Sequence, residues 1–578
     1  MSKPETTNAE IIRLLSLMGH FLEIKGENPF RVRAYERAAQ TLSGLTRNLS
    51  EMAPEELGNL PGIGPGMTAH IQEILSHGNL KDLETIKKQI PEGIIKLLDI
   101  QGMGPKRAKL LWQTLKIDSI EALKKAAVEG KLRDLPGFGE KLEQSILKGA
   151  DFAQAAAKRM LIWDARTIAA DIVQRLKKSG VVVEAVAAGS LRRGKETVGD
   201  LDILTTARNG SKAIEFFTKL EQVERVLGAG ETKATVWLKN QIQCDFRVVA
   251  PDSFGAALLY FTGSKEHNVV LREQALKLGM TINEYGIFKL TKGKAGRKVA
   301  SKTEEEIYKA LGMKWIPPEL RENRGEIQAA RSNKLPKLIE LQDIRGDFHN
   351  HTKLTDGANA LEEMAEAARA MGWEWVFVGD HSQSLKVANG LSPADLHRTI
   401  KEAQEFNAKS KGFRIFRSME VDILKDGRMD YTDEDLGAIG AVIAAVHTHF
   451  KISGDEMTKR VIRAIENSHV DIIAHLSGRL LNRREPYEIN VEEVLGAAAK
   501  NQTALELNGQ PERQDIFDTQ AKRAKELGVP LVLTTDAHSV HQFGYIQIAL
   551  NIARRAWLEK QDLLNTMSAK EICEWLGN

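Results

Sequence analysis

Gly189-Ser190-Leu191-Arg192-Arg193-Gly194-Lys195-Glu196-Thr197-Val198-Gly199-Asp200-Leu201-Asp202-Ile203-Leu204 is the stretch on which the reading of this chain turns. Side chains two apart in a β-strand share a face, so a strand through Asp200 and Asp202 holds two carboxylates side by side. They repel unless a divalent cation lies between them. Asp245 lies in a second β-branched run, Ile242-Gln243-Cys244-Asp245-Phe246-Arg247-Val248-Val249. It is positioned to complete a three-carboxylate site for two metals, one polarising a 3′ hydroxyl and the other holding a triphosphate. Arg193 and the Gly189-Ser190 turn would then grip phosphates. Taken alone, Gly-Asp-Leu-Asp also reads as a strand edge with surface acids; the Gly-Ser-x-Arg-Arg turn just upstream favours the metal site.

Upstream the pattern is helical. Apolar residues recur at three and four in Ile11, Ile12, Leu14, Leu15, Met18 and Leu22. Helix periodicity returns around Ile162 to Leu176, then yields to β-branched runs such as Val181-Val182-Val183, which predicts a mixed α/β unit. Near the start three similar segments repeat: Leu60-Pro61-Gly62-Ile63-Gly64, Ile100-Gln101-Gly102-Met103-Gly104 and Leu135-Pro136-Gly137-Phe138-Gly139, each leading into a helix-forming stretch. A Gly-x-Gly turn feeding a helix presents backbone N–H groups and the positive end of the helix dipole to a phosphate, without reading sequence. One such turn is as easily structural. Three in one apolar frame point to helix-hairpin-helix elements that hold DNA by its backbone.

Downstream, ten of the fourteen histidines fall in the last 238 residues. The series opens at Asp347-Phe348-His349-Asn350-His351 and continues through Asp356. Short apolar runs then lead into the later members: Val376-Phe377-Val378 into Asp380-His381, Ala441 to Val446 into His447, Ile472-Ile473-Ala474 into His475, and Leu531-Val532-Leu533 into Asp536-Ala537-His538. Val421-Asp422-Ile423 adjoins Glu420. These positions recur at about 30 residues, the length of a strand-helix unit, with Glu506 filling the longest gap. Strand ends that meet at one rim of a barrel gather side chains remote in sequence, and a polynuclear metal cluster is the expected product. His397, His449, His469 and His541 read as ordinary core or surface residues.

At 578 residues the chain is too long for one hydrophobic core and predicts several domains. No apolar stretch approaches the roughly 20 residues that span a bilayer, and the start lacks the apolar core of a signal peptide, so a cytoplasmic location is expected. Cys244 and Cys573 are far apart and in no CxxC spacing, which leaves any metal to nitrogen and oxygen ligands. The net charge of +3 hides an asymmetry. Residues 341–578 carry 28 Lys+Arg against 36 Asp+Glu, leaving 53 against 42 for residues 1–340. A basic front and an acidic, His-rich back suit a polyanion-binding half joined to a cation-binding half.

The palm stretch resembles the family X DNA polymerases, whose nucleotidyltransferase palm carries Gly-Ser, Arg-Arg and Gly-Asp-x-Asp at this spacing. Tyr260-Phe261-Thr262-Gly263-Ser264 is similar to that family's thumb motif, and Asn28-Pro29-Phe30-Arg31-Val32-Arg33-Ala34-Tyr35 to its small gap-binding domain. The resemblance implies catalytic Asp200, Asp202 and Asp245 with Mg²⁺ or Mn²⁺. It implies nucleotide contacts from Gly189, Ser190, Arg193, Gly199, Tyr260, Phe261, Gly263 and Asn268. DNA contacts are implied for Arg31, Arg33, Gly62, Gly64, Gly102, Gly104, Gly137, Gly139 and Arg272. Two departures stand out. His70 occupies the position of the family's Schiff-base lysine, and an imidazole cannot form that imine; Lys265 stands where many relatives have an acid beside the incoming base.

The His-rich region resembles the polymerase and histidinol phosphatase (PHP) domain that follows the polymerase core in many bacterial family X enzymes. By that resemblance His349, His351, Asp356, His381, Glu420, His447, His475, Asp536 and His538 bind up to three Mn²⁺ or Zn²⁺ ions, with Glu420 bridging and Arg479 contacting phosphate. Leu476 and Thr355 replace a Pro and a Ser of many relatives, and neither is a ligand.

The expected fold is therefore a multidomain α/β chain. It has a helical N-terminal region with helix-hairpin-helix repeats (1–90, 5′-phosphate-binding; 91–150, fingers-like), a nucleotidyltransferase palm (151–250), a thumb (251–315), a linker (316–340) and a C-terminal (β/α) barrel of PHP type (341–578). The expected function is gap-filling DNA synthesis in base excision or end-joining repair, with 3′-to-5′ exonuclease or abasic-site endonuclease activity in the barrel. Expected partners are gapped or primer-template DNA with a 5′ phosphate and dNTPs, on a monomer that contacts no membrane. The alternatives are a DNA-tethered phosphoesterase with an inactive palm and a non-catalytic gap-binding scaffold; the full sets of palm and barrel ligands weigh against both.

Overall fold

The computed structural model describes residues 8–43, 49, 52–60, 62–99, 103–133, 135–136, 138–139 and 159–577. The chain divides into two compact units, Met1–Lys158 and Arg159–Asn578.

The first unit is helical throughout its described residues. Helices Asn8–Lys25, Pro29–Ser43, Pro65–His77 and Pro105–Leu115, with shorter ones at Pro54–Gly58, Lys81–Lys87 and Ile120–Val128, enclose one core. The three-and-four spacing read in the first helix buries Ile11, Leu14, Leu15, Met18 and Leu22 on one face. Gly102 and Gly137 of the expected hairpin turns lie outside the described residues, as does the stretch after the third turn.

The second unit opens with helix Ile162–Ser179, packed on a five-stranded sheet in the order Glu184–Ala187, Asp200–Thr206, Ile242–Val249, Lys233–Leu238, Val223–Ala229. The run Val181-Val182-Val183 ends one residue before its strand begins. Period-two alternation sorts the sheet. Leu201, Ile203, Cys244, Phe246, Val236 and Leu238 face the core beneath the helices, so Asp200, Asp202 and Asp245 emerge on the opposite face.

Next come helices Phe254–Thr262 and Lys265–Lys277 and a three-stranded antiparallel sheet, Lys294–Ala300, Gly286–Thr291 and Met280–Asn283. The expected linker is not one. Ile316, Leu320, Ile327, Ala330 and Leu338 are buried in the same core as Leu259, Leu271 and Ile307. Pro318 opens a 3₁₀ turn, Pro318–Leu320, instead of an extended spacer, because a fixed φ suits the first helical position. Buried Arg321 then donates to both oxygens of Glu304, at 2.7 and 3.0 Å.

The C-terminal region forms a seven-stranded parallel sheet in strict chain order: Gly346–Asp347, Trp375–Val378, Arg414–Asp422, Ala441–Ala445, Ile472–Ile473, Ala504–Asn508 and Leu531–Thr534. A bridge between Asn350 and Ala537 nearly closes it into a barrel. Alternation again divides the side chains. Trp375, Phe377, Phe416, Ile443, Ile472 and Val532 fill the inside, and Val376, Val378, Met419, Val421, Val442, Leu505 and Leu531 meet the surrounding helices. The barrel docks on the palm through helix Ile546–Arg555: Ile548 joins the palm core, and Tyr545 meets Trp163 edge-on with ring centroids 4.9 Å apart. No helix among the described residues is long and apolar enough to cross a membrane.

Candidate active sites in the palm and the barrel

Strands Asp200–Thr206 and Ile242–Val249 run parallel in a register that pairs Asp202 with Asp245 and Asp200 with Gln243. All three carboxylates therefore share a face. Burial, then repulsion from Asp200 and Asp245, raises the Asp202 pKa to about 7, and burial with Asp245 raises that of Asp200. Asp245 is held by the Thr235 hydroxyl at 2.7 Å, Lys233 at 2.9 Å and Arg247 at 3.2 Å. These cations offset part of the charge, yet the carboxylates still repel one another, the condition that a divalent cation relieves. Among the described residues, the groups whose donor atoms all lie within 4.8 Å of one another are nonetheless in the barrel and not in the palm.

Gly189 faces Asp202 across this site. Its φ is +61°, and a Cβ there would stand 2.4 Å from Asp202 Oδ2, so only glycine allows the approach. Ser190 follows in a short helical turn, Gly189–Arg192, and Gly199 lies just ahead of the strand that carries Asp200. Arg193, expected to reach toward phosphate, is engaged elsewhere. Its Nε donates to Glu322 at 3.0 Å and its Nη1 to the Thr262 carbonyl at 2.5 Å, while Arg192 grips both oxygens of Glu304. Both arginines thus tie the palm to the thumb. Beyond them Tyr260 is 40% exposed, and Phe261 lies under the Arg247 guanidinium at 4.3 Å. Gly263 has φ +71°, the next residue caps helix Lys265–Lys277, and Asn268 donates to the Tyr260 carbonyl at 2.8 Å. Arg272 and Lys265 are exposed on that helix.

In the first unit the middle residues of the hairpin turns, Ile63, Met103 and Phe138, are buried and anchor the turns. Gly62 has φ +81°. Gly64 and Gly104 have extended backbones at the starts of helices Pro65–His77 and Pro105–Leu115. Among the described residues nothing lies within 4 Å of a Cβ built on Gly64, Gly66, Gly104 or Gly139. Neither backbone strain nor crowding by the described residues calls for glycine at Gly64 or Gly104. Arg31 pairs loosely with Asp82 at 3.6 Å, and Arg33 covers the exposed Phe30 ring at 4.7 Å. His70 stacks on buried Tyr35 and bonds its hydroxyl at 3.0 Å.

The barrel brings all nine expected ligands together, most of them from the segments that follow its strands. His351, Asp356, His381 and His538 form one group, His349, His351 and Asp536 a second, and His381, Glu420 and His447 a third. Glu420 is central, its two oxygens 2.6 Å from His475 Nε2, 2.9 Å from His381 Nδ1 and 3.2 Å from His447 Nε2. It sits inside strand Arg414–Asp422 and not beyond its end, which carries it further into the barrel. His475 and Asp536 have positive φ (+27° and +49°), a strained backbone of the kind that gathers at functional sites.

Two carboxylates that the sequence did not mark as partners orient these imidazoles. Glu506 bonds His349 Nδ1 at 2.7 Å, and Asp422 bonds His447 Nδ1, so each ring turns Nε2 to the centre. The signals were faint: Glu506 fell on the strand rhythm, and Asp422 shares a face with Glu420. Arg513, 3.1 Å from Asp536, gave none. Arg479, expected to contact phosphate, is buried against the palm instead, with Nη2 2.8 Å from Glu196 and its guanidinium over Phe517.

The residues fit a metal cluster. His351 Nδ1, His381 Nδ1 and His447 Nε2 are buried with no well-directed hydrogen bond among the described residues; His351 and His381 each belong to two of the three groups, and His447 to one. Burial pulls the His381 pKa down, but Glu420 and Asp356 reverse this and carry it to about 10; Glu420 in turn is held well below the usual range despite its burial.

Comparison with known proteins agrees with this geometry. Family models match residues 6–80 (helix-hairpin-helix domain), 94–151 (SAM-like helix-hairpin-helix tandem), 162–243 (DNA polymerase beta palm) and 257–322 (DNA polymerase beta thumb). DNA polymerase/3′-5′ exonuclease PolX of Bacillus subtilis (strain 168) is 38% identical over 565 residues, 97% of this chain and 98% of its own. DNA polymerase lambda of Rattus norvegicus is 26% identical over 352 residues, 55% of this chain and 57% of its own. A probable phosphatase of Thermoanaerobacter sp. (strain X514) is 29% identical over 232 residues, 38% of this chain and 89% of its own. Similarity along almost the whole of a polymerase-exonuclease, with a palm and a barrel built as described, places the chain among the family X DNA polymerases that carry a C-terminal PHP-type barrel.

Proposed function

We propose that this enzyme fills short DNA gaps in base excision or end-joining repair, adding nucleotides at the palm and removing 3′ nucleotides or cutting at abasic sites at the barrel. The reading is carried by the register that sets Asp202 beside Asp245 with Asp200 on the same face. Asp200, Asp202 and Asp245 would hold Mg²⁺ or Mn²⁺, and the nine barrel ligands up to three Mn²⁺ or Zn²⁺. Bound at these places, divalent cations neutralise phosphate charge and lower the pKa of a hydroxyl or water.

The chain's own residues supply position. Gly189 leaves room beside Asp202, and Ser190, Gly199 and Gly263 line the approach of the triphosphate. Arg193 holds the thumb turn in place. Tyr260 and Phe261 present ring faces to the sugar and base, Asn268 fixes the Tyr260 backbone, and Arg272 faces the template. In the first unit Arg31, Arg33 and the turns at Gly62-Gly64, Gly102-Gly104 and Gly137-Gly139 grip the DNA backbone and a 5′ phosphate. In the barrel Glu506 and Asp422 fix the tautomers of His349 and His447.

The test uses a one-nucleotide gap with a 5′ phosphate and a labelled primer in Mn²⁺, with and without dNTPs. Asp200→Ala/Asp202→Ala is expected to stop extension while still shortening the primer, and Glu420→Ala to do the reverse. A wild-type protein that never extends the primer refutes the polymerase half. Shortening that survives Glu420→Ala refutes the barrel half.

A further inference from the structure

We propose that Arg555, which belongs to the barrel, is a positioning residue for nucleotidyl transfer in the palm. It closes a buried chain of charge that reaches the thumb turn. Arg555 ends helix Ile546–Arg555, and its side chain is 5% exposed. Its Nη1 donates to the Arg193 carbonyl at 2.8 Å and to Glu322 Oε1 at 3.0 Å, and its Nη2 to Asp518 at 2.6 Å. Arg193 Nε donates to the same Glu322 oxygen, and Arg193 Nη1 reaches the Thr262 carbonyl. That guanidinium stands 3.1 Å from where a Cβ on Gly263 would lie. From Asp518 to Thr262 the links therefore run unbroken through barrel, post-thumb segment, palm and thumb.

The other end of the same turn touches the reacting site. The segment that finishes at Gly194 begins at Gly189, whose missing Cβ makes room for Asp202. Asn551, one helical turn before Arg555, lies against Gly194 at 3.3 Å from a Cβ built there. One barrel helix thus clamps the palm turn from behind, by a packed side chain and by a hydrogen bond to its backbone. Lys195 and Arg324 join the cluster, at 3.8 Å from Glu322 and 2.9 Å from Asp518, so cations outnumber carboxylates there. Buried charges this close have few alternative arrangements, which makes the chain a stiff strut. Its hydrogen bonds go to Arg193, Glu322 and Asp518 and to none of the nine barrel ligands. It is placed to serve the palm without touching the barrel's own chemistry.

The inference rests on reading Asp200, Asp202 and Asp245 as the transfer site, and the test separates the two. Full-length wild type, Arg555→Met, Arg555→Lys, Arg193→Met and the Arg193→Met/Arg555→Met double variant are assayed with Mn²⁺. The readouts are kcat and KM for dNTP on the gapped primer, hydrolysis of bis(p-nitrophenyl) phosphate, and thermal melting. Arg555→Met is expected to raise the dNTP KM about tenfold, a typical size for coupled neighbours, with ester hydrolysis within twofold. Arg555→Lys should recover part of the loss. In the Arg193→Met background Arg555→Met should add little, because it acts through Arg193. An unchanged dNTP KM in a folded Arg555→Met protein overturns the proposal, as does full additivity in the double variant or equal loss of both activities. Should Arg555→Met fail to fold, Glu322→Gln breaks the same link at similar volume and is held to the same outcomes. A wild type that adds no nucleotide refutes the palm reading and this proposal together; normal wild-type extension with an indifferent Arg555→Met refutes this proposal alone.

Discussion

Replacing Gly189 with alanine tests the palm at its tightest contact. The added Cβ would stand 2.4 Å from Asp202 Oδ2, against 3.4 Å to Cγ, which is ordinary contact. The carboxylate oxygen must therefore retreat by about 1 Å, a displacement on the scale that costs roughly 10²-fold in rate when it reaches a reacting centre. The backbone adds a second penalty. At φ +61° a residue with a Cβ costs about 1–2 kcal/mol, so the melting temperature of a unit as long as Arg159–Asn578 should drop by only about 1–2 °C. The assay is single-nucleotide extension on a gapped primer, with hydrolysis of bis(p-nitrophenyl) phosphate by the barrel as internal control. Extension should fall about a hundredfold while hydrolysis holds. If Gly189→Ala extends the primer within threefold of wild type and is folded, the close approach of Gly189 to Asp202 has no part in transfer.

Three other outcomes follow from the geometry. Gly64→Val with Gly104→Val should leave the melting temperature almost unchanged, since no described residue crowds a Cβ there and both backbones are extended. The same variant should bind gapped DNA more weakly at every sequence, and an unaltered Kd in a fluorescence titration would remove these turns from the DNA contact. Adding Mn²⁺ at about 100 times its Kd should stabilise the barrel by about 2.7 kcal/mol, read as a melting shift that Glu420→Gln abolishes. An equal shift in both proteins would refute the cluster. The third concerns acid. Glu322 is buried, yet Arg555, Lys195 and Arg193 hold its pKa down to about 2, and Asp518 is lowered by Arg555 and Arg324. A folded pKa below the unfolded one gives stability that is full above the unfolded pKa and is lost as pH falls toward the folded value. For Glu322 this is about 3 kcal/mol, lost from about pH 4.5 down to pH 2. The difference in melting between wild type and Glu322→Gln should be constant above about pH 6 and shrink below about pH 4.5; parallel curves for the two proteins down to about pH 2 would contradict it.

Periodicity and spacing determined a good deal on their own. Gly-Asp-Leu-Asp could be placed on one face because alternation in a strand is a local property, and the second run then put Asp245 within reach. The barrel was legible because most of the later ligands follow short apolar runs, and a rhythm of strand and helix admits few closures. The hairpin turns showed themselves by repetition, although Gly102 and Gly137 lie outside the described residues. Only the tertiary structure decided what depends on partners remote in the chain. Arg193 is spent on Glu322 and Thr262, Arg479 on Glu196, and the stretch after the thumb is core and not spacer. Glu506 and Asp422 became visible as supports only once His349 and His447 stood beside them. A charged side chain in sequence carries no mark of which charge will meet it. That is settled when folding buries both and leaves each no better neighbour than the other.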